Sequence, residues 1–367
     1  MATLVPSGFL DLDDIMDRTV TAAGPEIVAE AVLKSLEDWN KESAEMLSVF
    51  TTQTTEHQMK FQSNVLRNML PADEFSRALP SKGITSYTVA AHLQHAQTGN
   101  GLTRMAAAAM TVKMVADETY AAMIADAYWQ RNLVWSALFS LVSWAYPDPK
   151  YGTLTIEPLA NGDGTLYQAR GAALTGSDDT HQLAQAAAIA DGTDPYPIIK
   201  EELLEHPENV NGTVVTFIST SLVATTQALA AFHLPEDPNI QAGDSADKLV
   251  GVLGFPVPGE ILGYHADGGW IVHWRALPAG YMIAVAPSPA GTPPLWMRES
   301  ETPELRGFQL VSQNTLYPLQ ESTWERIVGF AANNRVGALV YRIGDAGGLG
   351  SAGTYLVPTG YTAPIGN

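Results

Sequence analysis

The chain has 367 residues, of which 46% are hydrophobic and only 16% charged, with no cysteine and a formal net charge of −19. This length predicts two or three lobes rather than a single core. The acidic balance argues against a surface that grips nucleic acid by charge neutralisation, and the lack of cysteine excludes disulfides and thiolate metal sites.

The N-terminal third predicts an arm, a helix and a loop. Residues 1–24 are mixed in character, contain proline and glycine, and are interpreted as an extended arm. Pro25 suits the first position of a helix, and four apolar residues at helical spacing predict an amphipathic helix after it: Val28, Val32, Leu36 and Trp39. Residues 51–103 are weakly patterned and predict a projecting loop that packs on a partner, with a short strand at Tyr87–Val89.

The middle of the chain carries the strongest helical signal. Apolar residues sustain a helical period over residues 104–145, and prolines follow directly. Residues 153–158 and 166–170 flank a turn at Asn161–Gly164 and predict a hairpin. Residues 181–190 are interpreted as a short helix.

The second half predicts an α+β lobe over residues 186–290, followed by a strand-rich segment. Helices are expected at residues 196–206 and 221–232. Strands are expected at residues 213–218, 249–254, 260–265, 270–277, 281–286, 295–299, 308–313, 324–331 and 337–343. A turn at Asp267–Gly268 is expected to join two of these strands.

No segment predicts targeting or membrane insertion. Met1–Leu12 lacks the basic segment and apolar run of a signal peptide. The most apolar stretch, Leu133–Tyr146, is shorter than the roughly 20 residues of a membrane span. The low charge content implies much apolar surface to cover, either in a large core or in contacts between copies of the chain.

One motif formally suggests a nucleotide cofactor. Gly348–Gly353 matches the dinucleotide-binding pattern, which requires a helix directly after it. Only 14 residues follow, including Pro358 and Pro364, so a flexible loop is expected instead. Esterase elbows, Walker loops and the zinc-protease motif are absent from the sequence.

Three clusters contain metal-ligand residue types. They are His92 with His95, which could share a helix face; Asp178 and Asp179 with His181; and Asp11, Asp13 and Asp14. The first lacks a completing carboxylate, the second is interpreted as a solvated turn, and the third lacks the glycine and distal glutamate of a calcium loop. We therefore predict no catalytic, cofactor-binding or metal-ligating residues, no cofactor and no enzymatic activity.

The order of local motifs resembles that of tailed-bacteriophage major capsid proteins with the Hong Kong 97 fold. The resemblance covers residues 85 to 364. Its first half runs through Tyr87–Val89, Gly99–Leu102, Met110–Val112, Ala125–Asp126, Arg131–Asn132, Ala137–Phe139, Gly152–Ile156 and Asn161–Gly164. Its second half runs through Pro278–Tyr281, Leu295–Glu299, Leu305–Phe308, Tyr317–Leu319, Asn334–Arg335, Gly337–Ala338 and Gly360–Pro364.

The resemblance implies an α+β Hong Kong 97-type capsid fold with an N-terminal arm, an extended loop, a peripheral domain with a long spine helix, and an axial domain. Along the chain we expect the arm and first helix in 1–50, the extended loop region in 51–103, the peripheral domain with spine helix and hairpin in 104–185, the axial domain in 186–290, a return through the peripheral domain in 291–335, and a C-terminal segment in 336–367.

The implied function is self-assembly into pentamers and hexamers that form the icosahedral head of a virion. The shell would assemble in the bacterial host cytoplasm and enclose double-stranded DNA without sequence-specific binding or a membrane. Portal, scaffolding and decoration proteins are the expected partners. Some relatives crosslink through a loop lysine, for which Lys60 and Lys82 are the candidates here, although solvated lysines are expected. The alternatives are an encapsulin-like compartment shell and an α/β enzyme.

Overall fold

The computed structural model describes residues 16–62, 86–101, 104–169, 177–234, 257–287, 292–311, 321–344 and 355–361. The chain divides into two compact units, each described separately. Unit 1 comprises residues 1–44, 94–131 and 300–328, and unit 2 comprises residues 45–93, 132–299 and 329–367. The six domain limits expected from the resemblance stay a prediction.

The helices fall mainly in the first half of the chain. In chain order they are α1 (Val20–Ala23), α2 (Pro25–Leu47), α3 (Arg104–Ala109), α4 (Val112–Phe139), α5 (Tyr196–Leu204) and α6 (Val223–Gln227). Single 3₁₀ turns occur at Asp191–Thr193, Thr220–Leu222 and Pro303–Leu305. None of the described helices is long and apolar enough to cross a membrane.

The strands are short and distributed along the chain. They are β1 (Thr51–Thr54), β2 (Gln58–Gln62), β3 (Ser86–Ala90), β4 (Gln94–Gly101), β5 (Trp144–Asp148), β6 (Gly152–Ile156), β7 (Asn161–Tyr167), β8 (Ser177–Thr180), β9 (Gln182–Gln185), β10 (Val215–Ile218), β11 (Phe232–His233), β12 (Glu260–His265), β13 (Gly269–His273), β14 (Tyr281–Val285), β15 (Leu295–Glu299), β16 (Phe308–Val311), β17 (Glu321–Ala332) and β18 (Ala338–Ile343).

Unit 1 is organised around the amphipathic helix that was predicted to begin at Pro25. Val28, Val32 and Leu36 are buried in a cluster with apolar residues of α4, β16 and β17. Fully burying a side chain of this kind stabilises the fold by roughly 1.5–3 kcal/mol. Antiparallel pairing joins β17 to both β16 and β4. The predicted helix is therefore confirmed, and its apolar stripe forms the core of the unit.

The long helix predicted over residues 104–145 is interrupted and ends early. At the break, Thr19 forms an antiparallel bridge with Thr111, and the Val20 N–H donates to the Met110 carbonyl at 3.0 Å. These contacts take backbone groups of the 110–111 segment out of the helical pattern, which separates α3 from α4. The second half ends at Phe139, and the segment containing Pro147 forms the strand β5.

Unit 2 contains a seven-stranded mixed sheet in the order β11-β12-β13-β10-β14-β18-β9. The predicted strand at 213–218 is the central β10, which pairs in parallel with β13 and antiparallel with β14. Its four residues are all buried, as expected of a strand covered on both faces. The predicted turn at Asp267–Gly268 joins the antiparallel pair β12 and β13 and is confirmed.

The helix predicted at residues 196–206 is α5, and it packs on this sheet. Tyr196, Ile199 and Leu203 are each fully buried in one cluster with apolar residues of β9, β10, β13, β14 and β18. Tyr196 also forms a 2.7 Å hydrogen bond to the Thr226 hydroxyl. The main core of unit 2 thus lies between α5 and the sheet.

Two local predictions in unit 2 are wrong. The hairpin expected around Asn161–Gly164 does not form, because β6 pairs with β5 and β7 pairs with β8. The helix expected at residues 181–190 is instead the buried strand β9, which pairs in parallel with β18. In the second case the partner strand β18 lies far from β9 in the sequence.

Other predictions need a smaller correction or cannot be compared. Residues 20–23 of the expected extended arm form α1, and the helix expected at 221–232 is reduced to one 3₁₀ turn and α6. The expected strand at 249–254 and the glycine motif Gly348–Gly353 lie outside the described residues. The weakly patterned segment 51–103 contains β1 to β4.

Candidate functional site

The strands β2 and β3 form a two-stranded antiparallel ribbon in unit 2. Their register runs from Gln58 opposite Ala90 to Gln62 opposite Ser86, and residues 63–85 between them lie outside the described part. Among the described residues no third strand pairs with either strand. A lone two-stranded ribbon is only marginally stable in water, so this ribbon suits a surface that is covered by a partner.

One end of the ribbon is anchored in the core of unit 2. Val89 and Ala90 are buried against Leu154, Ile156 and Trp296. In contrast, successive residues of β2, from Gln58 to Lys60, are exposed. The strand predicted at Tyr87–Val89 is confirmed as part of β3. The candidate lysine Lys60 lies on the exposed β2, whereas Lys82 falls outside the described residues.

Unit 1 contains an open apolar groove of about 750 Å³, lined by α1, α2, α4 and the residues just before α1. Its lining is mostly alanine, valine and isoleucine. Ile27 and Tyr120, which contribute to it, are 68% and 65% exposed. Contiguous apolar surface of this kind marks an interaction site more often than a solvent-facing surface.

A buried ion pair fixes the central helix of unit 1. Arg326 on β17 donates to both carboxylate oxygens of Asp126 on α4, at 2.5 and 2.8 Å. The Trp39 indole N–H donates to the same carboxylate at 2.9 Å, and Gln130 does so at 2.8 Å. Asn40 accepts a further hydrogen bond from Arg326. The Ala125–Asp126 motif of the resemblance is thus tied to packing inside the unit.

Two further motifs of the resemblance meet at Arg335 in unit 2. This residue is 1% exposed, and its guanidinium donates to the Pro158 carbonyl at 2.7 Å and to Asp163 Oδ2 at 2.8 Å. Asn161 accepts another hydrogen bond at 3.1 Å. Asn334–Arg335 and Asn161–Gly164, which are far apart in the sequence, therefore form one interaction.

A third buried arginine lies beside an unusual histidine. Arg298 donates to Asp148 at 3.0 Å and to the Ala91 carbonyl at 2.8 Å. Neither ring nitrogen of His92 has a hydrogen-bond partner among the described residues, and its ring contacts Trp144 at 4.9 Å between centroids. Burial, together with the positive charge of Arg298, lowers the pKa of His92 to about 3. His92 is therefore held neutral.

His92 and His95 do not share a helix face, so that expectation is wrong. His92 lies in the coil before β4, and His95 lies on β4, where its Nε2 is 3.1 Å from Glu325. The helical spacing suggested by the sequence is replaced by extended backbone because β4 pairs along β17.

Although Asp178 is exposed, His181 is fully buried, so the interpretation of their cluster as a solvated turn is wrong. His181 is fully buried between β8 and β9, and the sequence-remote His206, just after α5, is fully buried beside it. Asp179 contacts the Nε2 atoms of both rings. The sequence alone gave no reason to include His206, since 25 residues separate it from His181.

Two glutamates of the α5 region add negative charge next to this cluster. Burial raises the pKa of Glu202, and repulsion by the Asp179 carboxylate raises it further. Burial also raises the pKa of Glu205, whose Oε1 lies 3.7 Å from His206 Nε2. One carboxylate oxygen from each of these glutamates lies within 4.8 Å of an Asp179 oxygen.

Comparison by sequence identifies no relative: no protein-family model matches the chain, and no curated protein matches it. Comparison by structure does. A solved structure described as Mycobacterium phage Patience is 18% identical, with a TM-score of 0.64, and the match covers 98% of each chain. A capsid asymmetric unit of cyanophage Pam1 is 12% identical, with a TM-score of 0.48 over 83% of this chain and 89% of that one. A virus-like particle from Pyrococcus furiosus is 11% identical, with a TM-score of 0.39 over 85% and 98%.

The similarity to the mycobacteriophage structure extends over almost the whole of both chains and shows the fold. The α+β, Hong Kong 97-type fold predicted from the motif order is thereby confirmed.

Proposed function

We propose that this chain is the major capsid protein of a tailed bacteriophage. Copies assemble into pentamers and hexamers, which close into the icosahedral head around double-stranded DNA. The observation that carries the proposal is the shared fold with a phage structure over 98% of both chains. The motif order between residues 85 and 364 independently resembles that of capsid proteins.

The ribbon of β2 and β3 supports this proposal. Rings of five or six subunits use heterologous contacts, in which one surface of a subunit meets a different surface of the next. A ribbon whose β3 packs on the core through Tyr87, Val89 and Ala90, and whose β2 is exposed from Gln58 to Lys60, can lie across such a neighbour. No further strand of the described residues pairs with the ribbon, so its outer edges offer backbone groups for strand addition.

The apolar groove of unit 1 also supports assembly. Ile27 and Tyr120 present large apolar surfaces to solvent, and contacts between copies would remove them from water at about 25 cal/mol per Å². We assign the groove to contacts with a second copy of this chain.

The proposal places the protein in the virion, after assembly in the cytoplasm of the bacterial host. Its net charge of −19 suits a wall that encloses DNA without binding to it. Portal, scaffolding and decoration proteins are the expected partners. The chain acts as a structural subunit and not as an enzyme.

Negative-stain electron microscopy of the purified chain, with light scattering, tests the proposal. Closed shells or rings of five and six subunits would support it. A monomer or dimer that stays unassembled even with a coexpressed scaffolding protein would contradict it. Shells that copurify from the natural host with an enzyme inside, and without DNA, would instead assign the chain to an encapsulin-like compartment.

A further inference from the structure

Three ligand-type atoms converge inside unit 2. Asp179 Oδ2 lies 3.0 Å from His181 Nε2 and 2.8 Å from His206 Nε2, and the two Nε2 atoms lie 3.0 Å apart. Both imidazoles are fully buried, so bulk water does not screen these contacts. The three atoms form a nearly equilateral triangle.

The hydrogen bond that each imidazole ring makes through Nδ1 determines which of its nitrogens carries the hydrogen. His181 Nδ1 lies 2.8 Å from the Ala338 carbonyl oxygen, and His206 Nδ1 lies 2.9 Å from the Gln168 carbonyl oxygen. A carbonyl oxygen only accepts, so both Nδ1 atoms must donate. In the neutral rings both Nε2 atoms therefore present lone pairs to the centre of the triangle. Metal-bound histidines are held by the same outer hydrogen bonds.

Protons alone cannot satisfy this triangle. A hydrogen bond between the two Nε2 atoms needs one to donate and the other to accept. The donating nitrogen then has its only hydrogen committed to the other ring and no lone pair left for Asp179. Its 3 Å contact with the carboxylate is left without a hydrogen bond of its own. Every protonation state leaves at least one of the three contacts unsatisfied, and in a buried site this is costly.

A single cation satisfies all three contacts at once. We propose that Asp179, His181 and His206 form a binding site for a divalent transition-metal ion of the zinc class. Bonds of about 2.0–2.2 Å to nitrogen and carboxylate oxygen are usual for zinc. Three such ligands at about 90° to one another lie about 3 Å apart, as in a facial two-histidine, one-carboxylate site. Imidazole and carboxylate without sulfur suit ions of this class.

Two further carboxylates lie next to the site and share Asp179 with it. Glu205 Oε1 lies 3.7 Å from His206 Nε2. Glu202 lies in the same acidic group. A carboxylate from this pair would complete the coordination and balance the charge of the ion.

The ion would have a structural role within unit 2. Asp179 lies on β8, His181 lies between β8 and β9, and His206 lies just after α5. Coordination would therefore connect the edge of the seven-stranded sheet, where β9 lies, to the end of the helix that covers it. Binding to the folded state alone raises the stability by mass action.

The test uses the full-length chain, stripped with EDTA and dialysed, and titrated with Zn²⁺ by calorimetry. We expect one Zn²⁺ per chain, a Tm that rises with Zn²⁺ concentration, and visible absorption bands when Co²⁺ is added instead. His206→Gln should weaken Zn²⁺ binding by at least about 100-fold, since even the loss of a supporting residue costs 10–100-fold.

His265→Gln is the matched control. His265 is also fully buried and lies 2.9 Å from a carboxylate oxygen of Asp194, but it has no second histidine in a described three-ligand cluster. The His265→Gln variant should bind Zn²⁺ as tightly as the wild type. If His206→Gln does not fold, Asp179→Asn, which keeps the side-chain size, is measured in its place. A wild-type chain that takes up no Zn²⁺ and shows no Co²⁺ bands, or a ligand variant that binds as tightly as the wild type, would overturn the proposal.

Discussion

Arg326 and Asp126 form a two-pronged ion pair in which both side chains are almost completely buried. Leaving one buried charge without its partner costs about 3–5 kcal/mol. We expect Asp126→Ala to lower the free energy of unfolding by that amount, measured by denaturant titration. Arg326→Lys should also be destabilising, because lysine cannot donate to both carboxylate oxygens in the same planar geometry.

Arg275→Ala is the control for this pair. Arg275 lies 3.8 Å from Glu260, but both side chains are largely exposed, so its loss should change stability by no more than about 1 kcal/mol. Equal destabilisation by the buried and exposed substitutions would contradict the role assigned to Arg326.

Residues 63–85, which join β2 to β3, should be needed for assembly and not for folding. Because Gln62 and Ser86 are directly opposite each other, residues 63–85 can be replaced by an Asn-Gly turn that suits a two-residue hairpin. We expect the shortened chain to keep its thermal unfolding temperature and to form no closed shells by negative-stain microscopy. Shells of normal appearance would disprove the assignment of this segment to contacts between subunits.

The segment before α1 should behave in the same way. Deleting residues 1–15 leaves the Thr19–Thr111 bridge and the buried Val20 in place. We expect the far-ultraviolet circular dichroism of the chain to persist and shell closure to fail. A deletion that assembles as efficiently as the full chain, judged by light scattering, would show that the segment is dispensable.

The groove of unit 1 can be tested with a single charge. Ile27→Asp places a carboxylate in apolar surface that is exposed in the single chain, so the stability of the chain should change by no more than about 0.5 kcal/mol. Assembly should weaken strongly, because the charge would be desolvated between copies. Lys34→Gln, on the same helix and outside the groove lining, makes the same change in net charge and should assemble normally.

His92 should make stability depend on pH. Its pKa is about 3 in the folded chain and about 6.5 when unfolded. Between these values the unfolded chain binds a proton that the folded chain does not, so stability falls as the pH falls from 6.5 towards 3. The slope for one such group is at most about 1.4 kcal/mol per pH unit. Above pH 6.5 the His92 ring is neutral in both the folded and the unfolded chain, and this loss of stability is absent.

Comparing variants isolates this contribution from other titrating groups. The difference in unfolding free energy between wild type and His92→Gln should change with pH in this window. If the unfolding free energies of the wild type and His92→Gln changed with pH in parallel, the pKa of His92 would not be lowered in the folded chain.

Elements defined by local signals were predictable from sequence. Pro25 and the apolar spacing after it define α2, and the glycine turn at Asp267–Gly268 defines the β12–β13 hairpin. The helix α5 likewise follows from its flanking proline and its apolar residues. In each case the residues that decide the structure lie within about one or two turns of one another.

Elements decided by remote partners were not predictable. β9 is a strand because it pairs with the edge of β18. The sequence around residues 182–185 contains no local signal for this pairing. The break between α3 and α4 depends on Thr19, some ninety residues earlier. The burial of His181 was not predicted for the same reason: His206, which lies beside it, is 25 residues away in the sequence and follows α5. Periodicity carries no information on such pairings.

The position of β18 in the seven-stranded sheet has a consequence for synthesis. β14 and β9 each pair with β18, although both leave the ribosome well before it. At 5–20 residues per second, β9 waits roughly 10–30 s for its neighbour. A nascent chain that ends before Ala338 leaves the edges of β9 and β14 that would face β18 unpaired, which favours aggregation. A chain that ends before β18 therefore lacks the strand that connects β9 to the rest of the sheet.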